Sequence, residues 1–366
     1  MRKILGVVIL LMMMLSYALG EELAITQVSI DSNLFNPSKG ESVRIFYHLS
    51  KDAMVSVKIF DADYYLIREL LTNEKRFRGI NSISWDGRDI EDKIVPDEAY
   101  YFIIEAQDEL GAKAVYDPTT FSGGEVVFVP VLLRNFDPKT KDVHYQLPKP
   151  TRVRIRAGVH DGPLLKTICD WEPRVAGSHT EKWDGMDESG IIRVKEQRGF
   201  NLTISAFTLP ENSIITIGNK ELKYIQYKKP ITRKKKIAMS KSLPRADVRI
   251  HSHYRFSRTM DRSSEFRIEL PPETERDKNG IPVIRGEVEL RIILDEVSKR
   301  VLSESRFELV LYVDNVLWGE EEQGYEPYTW ILDTKKLRNG EHTITINVAT
   351  LTDQVGAASL KVKVNN

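Results

Sequence analysis

The chain has 366 residues, which is long for a single small sandwich and predicts two or three domains. Hydrophobic residues make up 41% and charged residues 29%, as in ordinary folded soluble proteins. Because 53 basic residues balance 53 acidic ones, the chain has no overall field that would attract nucleic acid or an anionic membrane, and no nucleic-acid partner is expected.

The amino terminus has the pattern of an export signal. Two basic residues precede an apolar run from Ile4 to Leu15, and the small residues Ala18-Leu19-Gly20 follow it. This predicts a signal peptide at residues 1–20 that is cut before Glu21. The apolar run is short for a bilayer span, so the expected location is periplasmic or extracellular. An uncleaved signal anchor that tethers the chain to the membrane is the alternative.

One five-residue block occurs twice. Trp85-Asp86-Gly87-Arg88-Asp89 returns 98 residues later as Trp183-Asp184-Gly185-Met186-Asp187. The same shift matches further residues along the chain: Tyr47 with Tyr145, Leu49 with Leu147, Val57 with Ile155, Leu66 with Leu164 and Gly79 with Gly177. The sequence therefore predicts two copies of one module.

The residue pattern inside each copy is that of β-strands. Val55, Val57 and Ile59 alternate with Met54, Ser56 and Lys58, and Val153, Ile155 and Ala157 alternate with Arg152, Arg154 and Arg156. A period of two predicts strands with one face in solvent. Turn signals separate several such strands in each copy, which favours an antiparallel β-sandwich of about a hundred residues.

The repeated tryptophan is interpreted as a structural anchor. An indole on the inner face of a sandwich buries about 200 Å², and Asp-Gly supplies turn chemistry because glycine adopts positive φ at little cost. The predicted anchors are Trp85, Asp86 and Gly87 in the first module and Trp183, Asp184 and Gly185 in the second. A carboxylate site is the alternative interpretation.

Several motifs together carry a family resemblance. The strand "YHLS" or "YQLP", the Val-x-Val-x-Ile strand, the Leu-rich "LIRELL" and the block "WDGRD" resemble the FlgD-type Ig-like module of flagellar hook-capping proteins. That module recurs in exported bacterial proteins, and the resemblance implies two tandem Ig-like sandwiches, at residues 23–117 and 124–227. The export signal argues against a hook-capping role.

A basic segment follows the repeats. Residues 228–246 are dense in Lys and Arg, with Lys234, Lys235 and Lys236 in succession. Such runs are usually solvated, so this segment is predicted to be an exposed linker. A patch that binds an acidic surface polymer or phospholipid head groups is the alternative.

The remainder, residues 247–366, is β-rich but different in sequence. Phe307, Leu309, Leu311 and Val313 alternate with Val310 and Tyr312, and an Asn339-Gly340 turn precedes another alternating run. The order of these strands resembles a bacterial Ig-like domain of exported, often carbohydrate-active, proteins. The predicted fold is therefore all-β, with three tandem immunoglobulin-like or fibronectin-III-like β-sandwiches after the signal peptide.

No catalytic or cofactor motif is present in the sequence. The chain lacks G-x-S-x-G, H-E-x-x-H, a Gly-rich phosphate loop and C-x-x-C, so no catalytic residue and no cofactor are predicted. The one cysteine, Cys169, aligns with Leu71 of the first module, which predicts a buried, inert thiol. An intermolecular disulfide is the alternative.

Metal binding has only weak candidates. His251 and His253 lie two residues apart and would share one face of a strand, as zinc or copper ligands could, but no third ligand accompanies them. Asp161 and Asp314 are interpreted as turn residues, with calcium binding as the alternative.

These patterns predict a non-enzymatic exported protein. It would act as a structural, scaffolding or adhesion component of the bacterial cell envelope or exterior, with an unidentified protein or surface-polymer partner. The alternative is a carbohydrate-binding accessory of a polysaccharide-processing system. That role needs a flat exposed row of aromatic side chains, for which the candidates are Tyr64, Tyr65, Trp171, Trp318 and Tyr325.

Overall fold

The computed structural model describes residues 22–129, 136–137, 142–222, 224, 227, 262–303, 306–351 and 353–366. The chain divides into two compact units. Unit 1 comprises Met1–Gly123 and Pro210–Ile250, and unit 2 comprises Gly124–Leu209 and His251–Asn366. Strands dominate both units, which confirms the predicted all-β class. Within the described ranges, no helix has the length and apolar character needed to cross a bilayer.

The strands fall into three groups along the chain, and one further strand lies between the second and third groups. The first module contains β1 Ile25–Ile30, β2 Leu34–Phe35, β3 Val43–Leu49, β4 Ala53–Phe60, β5 Leu66–Arg76, β6 Gly79–Trp85, β7 Ala99–Gln107 and β8 Lys113–Tyr116. The second contains β9 Phe136–Asp137, β10 Asp142–Leu147, β11 Thr151–Val159, β12 Leu164–Arg174, β13 Gly177–Lys182 and β14 Phe200–Thr208, and β15 Ile214–Thr216 follows it. The C-terminal domain contains β16 Phe266–Glu269, β17 Val283–Ile284, β18 Glu287–Leu294, helix α1 Glu296–Leu302, β19 Phe307–Val313, β20 Val316–Glu321, β21 Tyr328–Asp333, β22 Gly340–Thr350 and β23 Val355–Val364.

Unit 1 is a sandwich of two sheets. One sheet has the order β1-β3-β6, and the other has the order β2-β15-β7-β4-β5 with β8 paired to β7. The inward side chains of β4, Val55, Val57 and Ile59, are fully buried, as the period-two pattern requires. Phe35 and Tyr100 meet Trp85 edge to face, with ring centroids 5.8 and 5.2 Å away.

Strand β15 lies outside the module to which the sequence assigned it. It pairs in parallel with β2 and antiparallel with β7, so it packs in unit 1 rather than at the end of the second module. The side-chain amide of Asn33 donates to the Ser213 carbonyl across 180 residues of sequence. A short apolar run such as Ile214-Ile215-Thr216 fits any buried sheet, and nothing in its pattern specifies so distant a partner.

Unit 2 contains two sandwiches. The second module has sheets β13-β10-β9 and β12-β11-β14, and the C-terminal domain has sheets β16-β18-β21 and β17-β23-β22-β19-β20. Each sandwich has its own buried cluster, centred on Ile155 in the second module and on Leu311 in the C-terminal domain. The Asp295 side chain caps α1 by accepting from the Ser298 N–H at 2.7 Å.

The predicted solvent face is found on one of the two equivalent strands. Met54 at the start of β4 is 37% exposed, as expected. On β11 the prediction is wrong, because Arg152 and Arg154 are buried and the strand is covered on both faces. The C-terminal domain supplies part of this cover, through the contacts described below.

Candidate functional site

The two tryptophan blocks have the same local geometry. Trp85 is 1% exposed and donates from Nε1 to the Arg88 carbonyl at 2.9 Å. Trp183 is 4% exposed and donates to the Met186 carbonyl at 2.7 Å. In each block the indole N–H thus closes the turn that follows its own strand.

The carboxylates and glycines of these blocks shape the same turns. Asp86 accepts from the Arg88 N–H at 3.1 Å, and Asp184 accepts from the Met186 N–H at 2.9 Å. Gly87 and Gly185 have φ values of +73° and +82°. A Cβ on Gly87 would also lie 2.5 Å from the Pro37 side chain, so both the φ angle and the space require glycine there.

The last aspartate of each block is buried. Asp89 accepts from the Glu91 and Lys93 N–H groups at 2.8 and 3.0 Å, and Asp187 accepts from two N–H groups in the equivalent turn. The second oxygen of Asp89 also accepts from the Tyr227 hydroxyl at 2.8 Å, whereas that of Asp187 has no hydrogen-bond partner among the residues that the structure describes. These carboxylates are therefore bonded to backbone groups in turns and do not line a shared site.

The most elaborate polar contact lies inside unit 2, between the second module and the C-terminal domain. Arg154 and Arg156 project from β11 and both bind Asp353 in the β22–β23 turn. Each guanidinium donates to the Asp353 carbonyl at 2.7 Å as well as to its carboxylate. The guanidinium of Arg154 also lies 4.4 Å from the centre of the Trp171 ring, a cation–π arrangement.

A buried asparagine makes the second part of this contact. Asn347 on β22 accepts from the Leu164 N–H at 2.9 Å and donates to the Leu164 carbonyl at 2.8 Å. Its side chain thus pairs with β12 as a neighbouring strand would. The surrounding bonds join Asp170 to the Ser263 N–H, Ser189 to the Ser359 N–H and Gln197 to Asn315.

Electrostatics strengthen this contact. Partial burial tends to raise the pKa of Asp353, but the charges and hydrogen bonds of Arg154 and Arg156 outweigh it and lower that pKa. Burial and the neighbouring Arg154 lower the pKa of Arg156. The arrangement can hold the two sandwiches together, because Arg154 and Asn347 are buried and paired across it and are costly to separate, while the Asp353 side chain is 67% exposed.

Cys169 is buried, which confirms the predicted position of the thiol. Burial raises its pKa to about 12, and its Sγ lies 3.4 Å from the Val153 carbonyl oxygen. A protonated, covered thiol is a poor nucleophile.

Other predicted candidates are distributed as follows. His251 and His253, and Lys234, Lys235 and Lys236, lie outside the described residues. Asp314 accepts from the Thr343 N–H at 2.9 Å and bonds to His342. Among the side chains that the structure describes, no group of three or more His, Cys, Asp and Glu is arranged to hold a metal ion.

The aromatic candidates for sugar binding differ in exposure. Tyr64 and Trp171 are buried and so unavailable to a glycan, while Tyr325 is 60% exposed. The ring plane of Tyr325 meets that of Tyr328 at 66°, and Tyr328 meets Trp330 at 59°. These three rings do not form a flat platform.

Comparison with known proteins gives distant structural likenesses. No family model matches the chain, and no curated protein matches it. FLGD from P. aeruginosa is 16% identical, with 26% of this chain and 63% of that chain covered and a TM-score of 0.19. An endo-β-1,4-mannanase from Thermotoga petrophila is 18% identical, with 47% of this chain and 28% of that chain covered and a TM-score of 0.21. A tetra-tandem repeat from the extending region of a large adhesion protein is 12% identical, with 94% of this chain and 74% of that chain covered and a TM-score of 0.19. At these scores the likenesses carry no argument about function.

Proposed function

We propose that the protein is a non-enzymatic, exported component of the bacterial cell envelope or exterior that scaffolds or binds other surface components. The observation that supports this most is the contact between the second module and the C-terminal domain. Arg154, Arg156 and Asn347 bond across it to Asp353 and Leu164. Domains joined in this way present a surface of fixed geometry, which is what a scaffold or an adhesin needs. The proposal of export rests on the pattern of residues 1–20.

The test is capture of partners from intact envelopes. A tagged chain is expressed in the native host, cross-linked in place and purified, and the captured proteins and glycans are identified. We expect a reproducible set of envelope components. The double variant Asn347→Ala with Asp353→Ala, called the unlocked variant, removes the hydrogen bonds that these two side chains make between the second module and the C-terminal domain. It should capture fewer of these components, because the two sandwiches would no longer keep a fixed arrangement.

The matched control is Glu341→Ala. Glu341 lies on the same strand as Asn347, is half exposed, and pairs with Lys361 at 2.7 Å within the C-terminal domain. This variant should capture what the wild type captures. Recovery of no envelope component by the wild type, or equal capture by the unlocked variant, would contradict the proposal.

A further inference from the structure

One end of the first module leaves large apolar side chains in solvent. Phe77 is 67% exposed, Ile80 is 78% exposed and Leu110 is 90% exposed. Phe77 and Ile80 flank Gly79 where β5 turns into β6, and Leu110 lies in the turn between β7 and β8. Single exposed apolar residues are common on protein surfaces, so the question is whether these three form a patch.

Contacts among the turns show that they adjoin. The Arg78 N–H donates to Asp52 at 2.8 Å, which ties the β5–β6 turn to the β3–β4 turn. Lys75 Nζ lies 3.5 Å from Glu109, which ties the end of β5 to the β7–β8 turn. We call this end of unit 1 the apolar tip, defined by Phe77, Ile80 and Leu110 with Lys75, Arg76 and Arg78.

The β5–β6 turn is braced in its shape. The side-chain amide of Asn81 donates to the carbonyls of Phe77 and Gly79 at 2.8 and 3.1 Å. Phe77 therefore lies in an ordered turn that connects the two sheets, so burying its ring in a lipid phase would cost little additional backbone entropy.

The chain enters the first module at this same end. Ser50, in the β3–β4 turn beside Asp52, accepts from the Ala24 N–H at 2.9 Å and donates to the Glu22 carbonyl at 2.8 Å. The apolar run Ile4–Leu15 precedes Glu22 in the sequence, separated from it only by residues 16–21. The segment with the pattern of a membrane-directed signal thus joins the fold at the apolar tip. The Trp85 block lies at the opposite end, because β6 runs from Gly79 to Trp85.

We propose that the apolar tip contacts the surface of a phospholipid bilayer. Phe77, Ile80 and Leu110 enter the boundary between head groups and acyl chains, and the neighbouring basic groups meet the lipid phosphates. Glu109 and Glu74 already pair with Lys75 and Arg76, so the apolar contact carries most of the binding and anionic lipid adds a smaller part. The inference rests on the proposed envelope location. It holds for a retained signal, which would tether the tip at the membrane, and for a cleaved one, where the contact is peripheral.

The second module provides an internal control for this tip. Val175, Ala176 and Ser178 stand where the first module has Phe77, Arg78 and Ile80. Gly177 has a φ of +117° and Gly79 a φ of +102°, so the two connections between sheets use a glycine with positive φ at the same position. Replacing Phe77→Val, Arg78→Ala and Ile80→Ser together therefore keeps a turn that the module is known to form.

The experiment measures insertion directly. The exported chain carrying Phe77→Trp is mixed with vesicles of phosphatidylethanolamine and phosphatidylglycerol that contain brominated lipid. We expect quenching of the added tryptophan beyond that of the wild type, because Trp85, Trp171 and Trp183 are buried and the half-buried Trp318 and Trp330 are present in both proteins. The triple variant should bind such vesicles roughly tenfold or more weakly than the wild type, as the loss of apolar burial predicts.

Two results would overturn the proposal. One is a tryptophan at position 77 that brominated lipid does not quench. The other is equal vesicle binding by the triple variant and the wild type, with both folded as judged by their unfolding curves. If the triple variant instead changes self-association in the absence of lipid, the tip is an interface between copies. Envelope capture by the scaffold proceeds through other surfaces, so failure of the lipid contact alone leaves the proposed function intact.

Discussion

The two modules share an anchor and differ in what covers them. In both, a buried indole donates to the carbonyl three residues on, and a glycine with positive φ follows. The first module is completed by β15, which arrives from beyond the second module. The second module uses Arg154 and Arg156 to bind the C-terminal domain, where the first has Ser56 and Lys58. The residues that the two modules share thus form the core of each. A few residues that differ on the outer face of the sheet, such as Arg154 and Arg156, determine which part of the chain packs against it.

The largest expected effect tests the shared anchor. Trp85→Ala and Trp183→Ala should each lower the free energy of unfolding of their own unit by about 3–5 kcal/mol, because each removes a large buried aromatic side chain. Denaturant unfolding followed by circular dichroism would measure the losses, with Phe77→Ala as the exposed control. A loss shared equally by both units from one substitution would show that the modules do not have separate cores.

Much of this architecture could be predicted from sequence, and the reason is local. The alternation around Val57 and the Trp-Asp-Gly turns depend on residues that are close in sequence. The strands and the repeats can therefore be predicted from the sequence alone. The position of β15 cannot be predicted in this way, because its partners Leu34 and Tyr100 lie far away in sequence.

The contact inside unit 2 was missed for a related reason. Alternating arginines on β11 match a solvated strand face, and only the folded chain shows Asp353 bound to Arg154 and Arg156, with Asn347 bonded to Leu164 of β12. One signal was available, since Arg152, Arg154 and Arg156 replace Met54, Ser56 and Lys58 of the sister module. Three arginines gained together at equivalent positions indicate a contact specific to that copy.

The next effect tests the docking of the second module. Arg154→Ser, which installs the residue of the first module, should destabilise unit 2 by about 2–3 kcal/mol through loss of charged hydrogen bonds and the contact with Trp171. A double-mutant cycle with Asp353→Ala isolates the coupling. Arg267→Ser is the control, because its ion pair with Glu269 is largely exposed and worth little. Additive losses would mean that the pair makes no specific contribution.

The same contact should depend on pH in one direction. The folded-state pKa of Asp353 is lowered by its arginine partners. Its contribution is therefore complete above the unfolded pKa of about 3.9 and is lost as the pH falls through the folded value. The stability difference between wild type and Asp353→Asn should stay constant from neutral pH down to about pH 4 and shrink below it. A difference that shrinks between pH 5 and 7 would assign the effect to another group.

A smaller effect tests the returning segment. Tyr227→Phe removes the hydroxyl that donates to Asp89 and should destabilise unit 1 by about 1–2 kcal/mol, without affecting unit 2. Within the described part of the chain no hydroxyl donates to Asp187, the equivalent of Asp89, so the first module alone should respond. Hydrogen exchange of the β7 backbone would report the change, with Tyr325→Phe as an exposed control. Unchanged protection in β7 would show that residues 210–227 add little to the first module.

The smallest expected effect concerns Cys169, where the second module replaces Leu71 of the first. Cys169→Ala removes one heavy atom and a weak contact to the Val153 carbonyl, so the loss should be about 0.5–1.5 kcal/mol, as for other small deletions in a core. The wild-type thiol should resist alkylation in the native state and react after denaturation, because burial raises its pKa to about 12 and keeps it protonated at neutral pH. Thiol titration before and after addition of denaturant measures both states. Rapid native labelling would show that β12 opens at this position, and the contact of β12 with Asn347 would then have to be weaker than its hydrogen bonds indicate.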